Sequence, residues 1–99
     1  MDTENLEPEV TFGDLFNRAI GDHLVFVRTR QRPRMTREQL ADASGVPSAT
    51  IERIENGRVS PKMHQIAQLV LALGEDLGTF LTAAVQGRPG LEKLQGRKP

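Results

Sequence analysis

Two runs of helical periodicity, at 36–44 and 48–55, are separated only by Gly45-Val46-Pro47. This spacing restricts the fold more than any other feature of the chain. Gly45 permits positive φ and so ends the first run. A turn of about three residues that opens on glycine sets two helices at a steep angle. Thr36-x-x-Gln39 forms a capping box at the start of the first run, and Asn56-Gly57 stops the second. Ala41 is small enough for the second run to approach closely, and Val46, Ile51 and Ile54 plug the angle between them. Ile51 and Ile54 lie three apart and face the same way, which leaves Ser48, Ala49, Glu52, Arg53 and Asn56 on the opposite face.

The same grammar punctuates the rest of the chain. Thr11-x-x-Asp14 resembles a capping box, and Phe12, Leu15, Phe16, Ala19 and Ile20 recur at helical spacing. Gly21-Asp22 either ends that helix or interrupts a longer one, which continues until Pro33 disfavours helix near Arg32. Ser60-Pro61 is a start signal, with serine as cap and proline in the first turn. Met63, Ile66, Ala67, Val70 and Leu73 form the stripe of that helix, and Gly74 ends it. Asp76 caps a further helix marked by Leu77, Phe80, Leu81 and Ala84. No strand pattern appears, so the fold expected is all-α. Residues 1–10 read as a disordered acidic N-terminus, 11–86 as the domain, and 87–99 as a flexible basic tail rich in glycine.

Net charge is zero, yet the charges are unevenly placed. Residues 1–22 hold six acids against Arg18, whereas 28–62 hold eight bases (Arg28, Arg30, Arg32, Arg34, Arg37, Arg53, Arg58 and Lys62) against four acids. Such asymmetry is more informative than the sum, and taken alone it fits a solvated arginine-rich face as well as a surface for a polyanionic partner. With no cysteine and two isolated histidines, His23 and His64, no catalytic constellation, metal site or cofactor site is expected. The longest apolar run, 69–73, is far too short to span a bilayer. A reducing, cytoplasmic setting fits the absence of cysteine.

A helix with small residues at its N-terminal end and an arginine farther along fits a major groove. Ser48 can meet a base edge or phosphate, Ala49 a thymine methyl, and Arg53 a guanine. The stretch MTREQLADASGVPSATIERIENGRVSPKMHQIAQLVLALG resembles the Cro and lambda-repressor type of helix-turn-helix domain, the XRE family. The resemblance covers residues 22–82. Its specific part is L-A-x-x-S-G-V, then I-x-R-I-E-N-G, then S-P and a leucine-rich helix ending in Leu-Gly.

The resemblance implies a five-helix bundle; the helical segment that the spacing at 11–20 predicts is additional to it, at the N-terminal side, and has no counterpart in the family pattern. It implies base reading by Ser48, Ala49, Glu52 and Arg53, and backbone contacts from Arg37, Thr50, Asn56, Arg58 and Lys62. It also implies that Glu55 pairs with an arginine of the first helix. The gap-free register assigns Arg30, an insertion of two residues before Met35 would assign Arg28, and Arg30 is the expectation. Pro47 departs from the usual Ser or Thr cap, which shifts capping toward Ser48. Ala49 and Glu52 are unusual for a reading face.

The implied function is a bacterial or phage-encoded transcriptional regulator, a repressor, that binds a double-stranded (pseudo)palindromic DNA operator as a homodimer. The fifth helix or the N-terminal segment would supply the dimer interface. A different class of reading is an antitoxin or interaction module that binds a protein partner through a terminal extension.

Overall fold

A computed structural model describes residues 10–95, which form five α-helices and no strand. They are α1 (Phe12–Thr29), α2 (Arg37–Ser44), α3 (Ser48–Glu55), α4 (Met63–Ala72) and α5 (Leu77–Val85), followed by a single 3-10 turn at Glu92–Gln95. The N-terminal disorder expected for 1–10 concerns residues that, up to 9, lie outside the described ones. So do 96–99 of the tail.

The segment at 11–20 is not a separate helix. It is the first half of α1, which runs unbroken through Gly21. The glycine is there for contact rather than termination: a Cβ on it would stand 2.3 Å from the Ile54 carbonyl oxygen and 2.8 Å from that of Glu55. Hydrogen in place of a side chain therefore lets the backbone of α3 lie directly on α1. Thr11 and Asp14 close the capping box at the N-terminus, with Thr11 Oγ1 accepting from Asp14 N–H at 3.1 Å.

Leu40, Val46, Ile51 and Ile54 are all buried where α2 and α3 meet, packed with Leu24 and Val27 of α1 and Leu69 and Val70 of α4. Each large aliphatic side chain buried there contributes about 1.5–3 kcal/mol relative to exposure. Thr36 and Gln39 form the expected box, and Gly45 takes φ 81° as the left-handed C-cap of α2. A bond across the bundle fixes this corner, because Gln68 Nε2 on α4 donates to the Ser44 carbonyl at 3.0 Å.

Two boundaries differ from the sequence reading. The fourth helix starts at Met63, not at Ser60-Pro61, with the Gln65 side chain accepting from Lys62 N–H at 3.2 Å. The Ser60 hydroxyl is engaged elsewhere, bonded to the Asn17 amide at 3.0 Å on α1. Nor is 87–95 loose: Leu91 is buried with Ala19 and Val85, and Arg88 pairs with Asp22 at 3.0 Å. Among the described residues no single helix is long and apolar enough to cross a membrane.

Candidate nucleic-acid interface

The outer side of α3 is the surface that the fold leaves unused. Its inner side is buried through Ile51 and Ile54, whereas Ala49, Glu52, Arg53 and Asn56 are exposed and Ser48 is half-exposed. Pro47 occupies the N-cap position, and no side chain caps the helix. Ser48 is the first helical residue instead of a cap, so the expected shift of capping onto its hydroxyl does not occur. The N-terminal amides of α3 and the Ser48 hydroxyl thus remain available to an acceptor outside the chain.

The C-terminal end of α3 is held differently. Glu55, with its side chain 1% exposed, accepts from Arg28 Nε at 2.6 Å and Nη2 at 3.0 Å in a bidentate pair. Its Oε1 also accepts from Arg37 Nε at 2.7 Å. Arg28 reaches on to the Met35 carbonyl at 3.0 Å, so one buried guanidinium ties α1, α3 and the link before α2. The partner expected from the gap-free register, Arg30, is corrected to Arg28. Two residues correspond to about 200° around a helix, which takes Arg30 to the far side of α1. There its guanidinium lies 4.3 Å from the centre of the Phe26 ring.

Arg37, at the start of α2, is thus both a partner of Glu55 and a surface group, its side chain 40% exposed. Its hydrogen bond to Glu55 holds the guanidinium above its ordinary pKa, against the opposing effect of burial. The charges of Glu55, Glu52 and Glu38 act in the same direction. Glu52 therefore balances part of the positive charge beside the outer face of α3. Arg58 and Lys62 are exposed, and Thr50 is half-buried on the flank of α3.

The turn after α3 uses its own amides: Asn56 N–H donates to Glu52, Gly57 N–H to Ile54 and Arg58 N–H to Arg53, each at 3.0 Å. Any contact of this turn with phosphate must come from the Asn56 and Arg58 side chains. Gly57, at φ 70°, faces the backbone of α1, since a Cβ there would lie 3.3 Å from the Arg18 Cα. Asn17 and Gln68 are positioning residues that spacing did not single out, Arg28 is the partner that the alternative register offered, and Gly21 has a packing role where the spacing offered a stop or an interruption. The one local hint was a glycine inside a helical pattern, which calls for a packing reason. Among the described residues, no group of three or more His, Asp or Glu side chains could hold a metal ion.

The family model of a helix-turn-helix domain matches residues 26–80, more than half of the chain. The chain therefore belongs to the helix-turn-helix domain family, consistent with the Cro and lambda-repressor type. No curated protein and no solved structure matches it.

Proposed function

We propose that this protein is a sequence-specific transcriptional regulator, a repressor, that inserts α3 into the DNA major groove as a homodimer. The observation that carries this reading is the contrast within α3. One side is seated on α1 and α2, and the other presents the side chains of Ser48, Ala49, Glu52 and Arg53 with no hydrogen-bond or ion-pair partner among the described residues. Arg53 is the principal base reader, with guanine O6 and N7 as its acceptors. Ala49 offers only a methyl contact, and Glu52 accepts from a cytosine amino group. Arg37, Thr50, Asn56, Arg58 and Lys62 position the helix through the phosphates.

A single recognition helix gives a small contact area, so useful affinity calls for two copies on a two-fold site. The end of the bundle where α1 begins supports such a dimer. There Phe16, Ile20, Pro61, Met63, Ile66 and Leu81 line an apolar groove, while Phe12 and Met63 stand exposed beside it. A second copy can match it across an isologous contact.

Fluorescence titration against DNA selected from a random pool, repeated over a salt series, tests the reading. Selective binding that weakens steeply with salt is expected. Absence of sequence-selective binding even at low salt would overturn it.

A further inference from the structure

Most of α1, the part before residue 26, lies outside the family match, yet it touches the turn that follows the recognition helix. Two contacts bring it there. Gly57 leaves the Arg18 backbone uncovered, with Cα 3.3 Å and N 3.6 Å from where a Cβ would stand. One residue earlier, the Asn17 side chain donates to Ser60 Oγ at 3.0 Å and accepts from it at 3.3 Å. The helix is thus fixed to both sides of Arg58, between Gly57 and Ser60.

Arg18 itself is exposed and has no hydrogen-bond or ion-pair partner among the described residues. This is unusual given its position, because acids stand four residues away on either side, the spacing at which helical ion pairs form. Both are engaged elsewhere. Asp14 accepts from the Thr11 backbone in the capping box, and Asp22 pairs with Arg88 at 3.0 Å. Arg18 is left as a long cation beside the turn that carries Asn56 and Arg58.

We infer that Arg18 is a DNA-backbone contact supplied by the N-terminal half of α1, held by the Asn17–Ser60 pair and by the absence of a side chain at Gly57. This rests on the reading of α3 as the groove-bound helix. It enlarges the phosphate footprint beyond the family's matched region, and it carries no sequence information, because a phosphate is the same at every base pair.

The full-length chain and its Arg18→Ala, Arg18→Lys and Arg18→Glu variants would be titrated against two labelled duplexes. One is the site selected from random DNA and the other a random-sequence pool. Arg18→Ala should weaken binding several-fold and equally for both duplexes, and lower the steepness of log affinity against log salt by about 0.9 for each protomer bound. Arg18→Lys should keep the wild-type steepness, and Arg18→Glu should lose more affinity than alanine. Arg18→Ala and Arg18→Lys should melt as wild type does, since the side chain is exposed and makes no polar bond among the described residues. An unchanged salt slope in Arg18→Ala, with wild type still binding, would overturn this inference alone. A wild-type chain that binds neither duplex would overturn the DNA reading as well.

Discussion

The two ends of α3 are built by opposite rules. At its C-terminal end Glu55 is buried and bonded to two arginines, the Ile54 and Glu55 carbonyls rest on Gly21, and the following turn rests on Arg18. At its N-terminal end no side chain caps the helix, and Ser48 and Ala49 make no side-chain hydrogen bond among the described residues; nor does Arg53, on the outer side of the last turn. The difference shows how a short helix can be placed rigidly while one face stays unsatisfied. All the constraint enters from the inner side and one end, so the outer side need contribute nothing to stability. Stability and the proposed recognition should accordingly separate by face along these eight residues.

The sharpest way to break that contrast is at Glu55. Glu55→Ala strands the buried Arg28 without its carboxylate, and loss of one partner from a buried pair costs about 3–5 kcal/mol. Chemical denaturation should show this as a large drop in midpoint, whatever happens to DNA binding. A near-neutral result would mean that Arg28 is solvated and that α3 is not anchored there.

Next in size is Gly21→Ala, which places a methyl group against two carbonyl oxygens of α3 and forces the helices apart. Overpacking of this kind costs about 1–3 kcal/mol, although alanine is intrinsically the better helix former. If the variant were more stable than wild type in the same denaturation experiment, the seating of α3 on α1 would be wrong.

The smallest effect expected lies away from both ends, at His23. Its ring packs edge-on to Phe80 at 4.8 Å. Burial lowers its pKa from the ordinary 6.5, partly offset by Glu75 and reinforced by Arg88. A lowered folded-state value means that the unfolded chain binds more protons between that value and 6.5. Stability should therefore fall as pH drops below about 6.5 and level off below the folded-state pKa. His23→Gln should flatten the trend in thermal melts across this range without altering DNA binding at pH 7. An equal pH slope in the variant would assign the effect to other groups.

What the sequence made legible was local. The Thr36–Gln39 box, Gly45 at positive φ, the Asp76 cap and the inward isoleucines all depend on residues within one or two turns of each other. What it hid was set at long range. Arg28 and Arg30 cannot be told apart as partners of Glu55 without the rotation of α1, and that rotation is fixed by Gly21 against a backbone more than thirty positions away. Ser60 reads as a helix cap until Asn17, 43 positions earlier, takes its hydroxyl. Leu91 sits among glycines and charges, and only the groove beside Ala19 and Leu15 makes it a core residue. The candidate reading face was legible because it is what remains once the inward residues are assigned. The proposed phosphate contacts beside it were less so, since Arg37 is shared with Glu55.

The most direct measurement is selection of bound sites from random DNA by the wild-type chain and by Arg53→Ala in parallel. We expect wild type to enrich a two-fold symmetric site with half-sites about one helical turn apart. Arg53→Ala should keep its melting temperature, lose about 1–3 kcal/mol of affinity and relax preference at one base pair in each half-site. Enrichment of no sequence by wild type, or the same preference in both proteins, would contradict α3 as the reading helix and Arg53 as its principal reader.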